Sequence, residues 1–308
     1  MKYIYILLII EIIIIAFIIY DNYKTERFTN NELLFSKERL ISFINVNLND
    51  TTKKLILFPH LELGDNLIFN GIVRYYCSIY SKVILVCKKN YYNQIKYMYS
   101  DLDNILFYNI NRGLGEDWNM NILSELYYDD EIRELYKKYN IEFIPISLYK
   151  SRYNIERPEV NTDYPLYFFD ELNLSYNIRY DNFKVIRNIS NEENIYNKLI
   201  NIIGNKYNII IDDEKRDFII NDDIIKNKYP IFKLGNNSIN KNKNLDEIKT
   251  DNIFDYIKIL ENAEEIHTID SSIVLMIDLL NLNVKTYIYK KYRPMPVIYK
   301  NKNFEYIV

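Results

Sequence analysis

The chain is poor in the residues from which metal centres and covalent frameworks are made: it has two cysteines and two histidines in 308 residues. Cys77 and Cys87 are too few for a disulfide framework or a four-ligand zinc site. Cys77 falls on a predicted helix and Cys87 near the end of a predicted strand, where small thiols pack into a core. With His60 and His267 as the whole stock of imidazole, a histidine-built metal site is not expected either. No GxSxG, HExxH, Walker A or GxGxxG string occurs, which speaks against α/β-hydrolase, metalloprotease, P-loop and dinucleotide-oxidoreductase chemistry. The balance of 39 basic against 42 acidic residues leaves a net charge of −3, so there is no basic field to draw in a nucleic acid. Glycine is scarce too, with six residues, and the few positions that keep one are informative.

What is present is a foldable chain with an apolar head. A hydrophobic content of 48% and a charged content of 26% are ordinary for a globular protein, and the length suffices for two core-forming domains. The 31 tyrosines, with abundant Ile, Asn and Lys, follow the residue usage of an AT-rich genome and carry no functional weight. Residues 3–20, YIYILLIIEIIIIAFIIY, are apolar except for Glu11 and nearly long enough to span a bilayer. Ala16 is followed by Phe17, Ile18, Ile19 and Tyr20, which is no signal-peptidase site, so an uncleaved single-pass anchor over residues 1–20 is expected. Lys2 before it and Lys24 and Arg27 after it leave the topology undetermined. Residues 21–52 read as a stem with a short helix around Leu40 to Ile44.

From residue 53 the pattern alternates. Continuous apolar runs at 53–59, 82–89 and 104–110 read as buried parallel strands, with helices at Leu67 to Tyr75 and over 91–99 between them. A helix over 121–139 and a strand at 142–147 follow, then loops and a helix around Leu166 to Leu172. The rhythm restarts with a helix over 191–203 and strands at 207–213 and 229–235. A helix at 253–263, a strand at 265–270, a helix at 271–281 and strands at 284–290 and 303–308 complete it. This predicts two Rossmann-like α/β domains facing across a cleft, residues 53–185 and 186–308.

Ligands in such sheets sit where a strand hands over to a helix. At the first handover, HLELGDN, Gly64 permits a tight turn and the amides of the helix start suit an anion. Capping explains one acid there, but not the crowding of His60, Glu62 and Asp65. Asn66 and Arg74, on the following helix, complete this candidate group with Gly64. At the second handover, EIHTIDSS, a strand carrying His267 ends at Asp270, and Ser271 and Ser272 open a helix, either as a phosphate cradle or as plain serine caps. In IIIDDEKRDF, Asp213, Lys215 and Arg216 follow a buried strand, either as a solvated turn or as charges at a ligand site. The DxD string of Asp101 and Asp103 precedes its strand instead of following it, so chance accounts for it.

The loop HLELGDNLIFNGIVR and the segment IFDYIKILENAEEIHTIDSSIVLMIDL together resemble the two ends of a GT-B-type glycosyltransferase of the heptosyltransferase-like group, glycosyltransferase family nine. Leu63, Gly64 and Asp65 match the family's LGD loop; Asp270, Ser271 and Ser272 match its Asp-Thr/Ser-Gly/Ser step near the C-terminus. The chain departs from the family where a histidine is usual and Val274, Leu275 and Met276 stand. The resemblance implies transfer of a sugar from a nucleotide-diphosphate sugar to a hydroxyl of a glycan, lipid or protein, with no metal and no further cofactor. It implies Asp65 as general base, and Asp213, Lys215, Arg216, His267, Asp270, Ser271 and Ser272 on the donor side. A non-catalytic protein on the same scaffold and a sugar-nucleotide epimerase are the other readings.

Overall fold

The computed structural model describes residues 37–48, 50–59, 62–110, 129–146, 165–212, 219–234, 245, 248–289 and 297–307. The apolar stretch 3–20 therefore lies outside the described residues, as do His60, Asp213, Lys215 and Arg216. Among the described residues no helix is long and apolar enough to cross a membrane.

The first half begins with helix α1 (Lys37–Asn47), which turns Leu40 and Ile44 inward. Strand β1 (Lys54–Phe58) leads into α2 (Leu63–Cys77), β2 (Lys82–Lys88) into α3 (Tyr92–Met98), and β3 (Ile105–Ile110) follows. Helix α4 (Asp130–Tyr139) and strand β4 (Ile141–Pro145) close the sheet. Its order is β3-β2-β1-β4, all parallel, so the chain moves outward from β1 on one side and then returns to its other side. Every residue of β1 is buried, as a strand covered on both faces requires, which is why KLILF reads as an unbroken apolar run.

The second half repeats the plan. Helices α5 (Leu166–Glu171) and α6 (Ile178–Asp181) cross over, α7 (Ile189–Ile203) follows, and β5 (Asn208–Ile211) starts a parallel sheet with β6 (Ile231–Lys233). After α8 (Ile257–Glu261) come β7 (Glu265–Ile269), α9 (Ser272–Leu279), β8 (Lys285–Tyr289) and β9 (Phe304–Ile307), giving the order β6-β5-β7-β8-β9. Here the chain reverses between β5 and β7. Both handovers singled out in the sequence thus lie at a reversal of their sheet, beside β1 and beside β7.

Where the expected and observed elements differ, local chemistry gives the reason. Asn140 adopts a left-handed conformation (φ 53°) that ends α4, so β4 starts at Ile141 and stops at Pro145. Of the helix expected over 121–139, the described part is α4, whose start is fixed by Asp129 accepting from the Ile132 N–H at 3.1 Å. The helix expected at 253–263 opens as a 3-10 turn capped by Asn252, and only then becomes α8. The four-residue α6 is too short to leave any periodicity.

The two sheets do not stand apart. The buried residues around α2, β2 and α3 join those of β5, β7 and α9 in one continuous apolar cluster. Tyr97 stacks on Phe254 across the halves, with ring centroids 5.3 Å apart. The tightest approach is at Gly71 in the middle of α2, where a Cβ would lie 2.1 Å from the carbonyl oxygen of Ile178 in α6. A helix-interior glycine ordinarily costs about 1 kcal/mol relative to alanine. At Gly71 the sign should reverse, because backbone cannot yield as a side chain can. We predict that Gly71→Ala lowers stability by about 1–3 kcal/mol in urea unfolding; a variant as stable as the parent would mean that α2 and α6 are not in this contact.

Candidate active site

The first turn of α2 is positioned by an ion pair on the neighbouring strand end. Glu62, the N-cap residue, is extended (φ −75°, ψ 155°) and makes no side-chain cap. Its carboxylate instead bonds the Lys88 ammonium at the end of β2, and accepts from the Tyr91 hydroxyl at 3.1 Å. The first intrahelical bond runs from the Asn66 N–H to the Glu62 carbonyl, 3.0 Å. Asp65 therefore sits inside the first turn, half-buried, and is not the cap. Asn66 is fully buried, its amide donating to the Glu62 carbonyl at 2.8 Å while Oδ1 has no partner.

The start of α9 has the same character. Ser271 is its N-cap residue, extended, with no side-chain cap bond, and its buried Oγ has no partner. The simple capping reading of both motifs therefore fails. Asp129 and Asn188 do cap α4 and α7 through their side chains, while α3, α5, α6 and α8 have no side-chain cap. Asp270, half-buried at the end of β7, receives the Tyr299 hydroxyl on Oδ1.

The two helix starts meet. A Cβ on Gly64 would lie 3.2 Å from Leu275 Cδ1 and 4.0 Å from Ser272 Cα. Leu275 thus stands against Gly64. The helix ends are the positive poles of α2 and α9, and each lies past the carboxyl edge of its own parallel sheet. Their approach sets Gly64 of α2 beside Ser272 and Leu275 of α9.

A clasp behind the site holds the helices in this relation. Asp278 of α9 is buried and accepts from the backbone N–H groups of Lys300 (2.8 Å) and Asn301 (2.9 Å), the Tyr180 hydroxyl (2.9 Å) and Arg179 Nη2 (3.4 Å). Burial pushes the Asp278 carboxyl up, and all four donors work against that. One isolated acid in the apolar run SIVLMIDL was the available sign of this buried pair; nothing in the sequence marked Arg179.

Other residues picked from the sequence have structural neighbours. Arg74 gives its guanidinium to Asp101 (2.8 and 3.1 Å), the Met98 carbonyl and the Lys184 carbonyl, and lies over the Tyr99 ring. Arg74 holds the Asp101 carboxyl well below the usual carboxylate range, which accounts for the DxD string by an ion pair. Among the described residues there is no group of three His, Cys, Asp or Glu that could hold a metal ion. Cys77 and Cys87 are buried, and burial pushes both thiols up to about 12.

Three solved structures are similar to this chain. ADP-heptose LPS heptosyltransferase II from E. coli is 11% identical, over 83% of this chain and 90% of that one, with a TM-score of 0.45. A family 9 glycosyltransferase from Veillonella parvula DSM 2008 is 11% identical, over 84% and 87%, with a TM-score of 0.46. The E. coli heptosyltransferase WaaC, solved with ADP-2-deoxy-2-fluoro heptose, is 10% identical, over 83% and 92%, with a TM-score of 0.37. No protein-family model matches the chain, and no curated protein does.

His267 lies inside the sheet, on β7, away from the helix starts. Its ring stacks on Tyr287 at 4.7 Å, Nδ1 is 2.9 Å from the Tyr289 hydroxyl, and Nε2 is 3.5 Å from Glu265 without hydrogen-bond geometry. Burial lowers its pKa below the usual imidazole value, outweighing the nearby Glu265. The folded chain thus holds a neutral ring, while the unfolded chain takes a proton near about pH 6.5. The stability this confers is fully present above that pH and is lost as pH falls through the lower folded value. We predict that the urea midpoint drops between about pH 7 and pH 5 and that His267→Gln flattens the drop; an unchanged slope in the variant would refute the buried neutral ring.

Proposed function

We propose that this protein is a metal-independent glycosyltransferase that moves a sugar from a nucleotide-diphosphate sugar to a hydroxyl of a glycan, lipid or protein, held at a membrane by residues 3–20. The observation that carries the reading is the contact at Gly64, where the uncapped start of α2 meets the uncapped start of α9. One helix start brings a carboxylate and the other brings hydroxyls and first-turn amides, which are the two halves a group transfer needs.

In this reading the diphosphate sits at the start of α9. There the amides and the Ser271 and Ser272 hydroxyls meet the charge that grows on the leaving group as the bond from sugar carbon to phosphate oxygen breaks. Lys215 and Arg216 add positive charge, with Asp213 beside them. Asp270 accepts a donor hydroxyl. Asp65 takes the proton of the acceptor hydroxyl as its oxygen forms the new bond to the sugar carbon, so the proton ends on the carboxylate and the nucleoside diphosphate leaves. Glu62, locked to Lys88 and Tyr91, fixes the turn that carries Asp65. No cofactor takes part beyond the donor.

The test uses the full chain in detergent, with a panel of nucleosides, nucleoside diphosphates and their sugars. A ligand that binds the folded state alone adds stability by mass action, about 2.7 kcal/mol at 100 times Kd, and so raises the melting temperature. One nucleoside diphosphate and its sugars should raise it, and Ser272→Ala should reduce the rise. Asp65→Asn should keep the rise yet lose about 100-fold or more of nucleoside diphosphate release from the sugar donor. A flat response to every panel member at about 1 mM would favour the non-catalytic scaffold.

A further inference from the structure

Of the segment between β8 and β9, the described residues 297–303 bond Asp270 just before α9, Asp278 near its end and Leu282 beyond it. Val297 is buried. The Ile298 carbonyl accepts from Arg179 Nη1 at 3.4 Å. Lys300 and Asn301 give their N–H groups to Asp278, and the Asn301 side chain donates to the Leu282 carbonyl at 2.9 Å. The Lys300 ammonium lies 4.0 Å over the Tyr180 ring. Between these anchors Tyr299 points its hydroxyl at Asp270 Oδ1, its ring set edge-on against Phe304 with centroids 5.2 Å apart.

That bond has a consequence for the helix start. An N-cap serine ordinarily bonds a first-turn amide with its side chain, and an aspartate beside it brings negative charge to the positive end of the helix. Here neither residue caps. Tyr299 engages one carboxylate oxygen from the side of the strap, and Oδ2 has no partner among the described residues. One carboxylate oxygen is thereby left for a hydroxyl donor.

We infer that Tyr299 is a positioning residue of the donor site: it turns Asp270 away from the start of α9 and presents its second oxygen to a hydroxyl of the nucleotide sugar. This rests on the reading of α9 as the donor-diphosphate site. Because the strap carrying Tyr299 is fastened to Arg179, Tyr180 and Asp278, the orientation of Asp270 is tied to the clasp that joins the two halves.

The experiment is a double-mutant cycle on the full chain with Tyr299→Phe, Asp270→Ala and the pair. Phenylalanine keeps the ring on Phe304 and removes only the hydroxyl. The probes are the uridine, guanosine and adenosine diphosphate sugars, with Kd taken by calorimetry for the tightest of them, and unfolding midpoints are recorded without ligand. Tyr299→Phe should weaken binding about tenfold in the parent, the scale of one hydrogen bond to a charged group. In the Asp270→Ala background the same change should cost less than about twofold. A merely structural tyrosine would cost the same factor in both backgrounds, and that result, or no loss in either, overturns the positioning role while leaving the donor site intact. If no diphosphate sugar binds the parent, the donor-site reading falls and this inference with it. Should Asp270→Ala not fold, Asp270→Ser, too short to reach the Tyr299 hydroxyl, takes its place.

Discussion

The carboxylate of Asp278 is the point on which the arrangement of this protein turns. It sits in the otherwise apolar helix α9, and its four donors come from the crossover helix α6 and from the strap before β9. A buried charge is tolerable only when its lone pairs are filled, and removing one partner of such a pair costs about 3–5 kcal/mol. The helix that opens with Ser271 is thereby fixed relative to α6, and α6 is pressed on α2 at Gly71 with no room for a side chain. The meeting of the two helix starts at Gly64 follows from these contacts.

The two helix starts are marked by where their N-cap side chains go. Asp129 and Asn188 fill first-turn amides of α4 and α7 with their own oxygens, as Asn252 does for the 3-10 turn before α8, whereas α3, α5, α6 and α8 carry no side-chain cap. At α2 and α9 the N-cap side chains are diverted or idle: Glu62 to Lys88 and Tyr91, Ser271 to nothing. Unfilled amides and a buried hydroxyl without a partner carry a cost in the free protein that a bound anion can offset. The Lys88 and Tyr299 contacts have a common form, in which a residue on a neighbouring segment holds an acid clear of the helix end.

Much of the architecture was legible because parallel strands buried on both faces leave unbroken apolar runs, as in KLILF and KVILVCK. The two handovers were legible for a different reason: Gly64 is one of very few glycines, and Asp270-Ser271-Ser272 follows such a run directly. Arg74 and His267 show the limit of that method. Both are polar residues near a motif, yet one is committed to Asp101 and two carbonyls and the other is enclosed by Tyr287 and Tyr289. A local pattern states which residues are polar, not which partners arrive from about a hundred positions away, as Lys184 does for Arg74 and Asp278 for Arg179. Tyr299 was hidden among 31 tyrosines, in a chain where that residue type carries little information.

The crossover helix α6 bears on how the chain could be divided. It belongs by contact to the first half, through Gly71, and by charge to the second, through Arg179 and Asp278. A cut at residue 186, between the two sheets, would leave the second fragment with a buried carboxylate stripped of its cation and of the Tyr180 hydroxyl. The first fragment would keep an arginine with no acid, and the start of α2 would lose its contact with Leu275 and Ser272 at Gly64. Two sheets can be counted, but the piece of chain that makes the joint is shared between them, so a boundary drawn at residue 186 would divide one set of contacts.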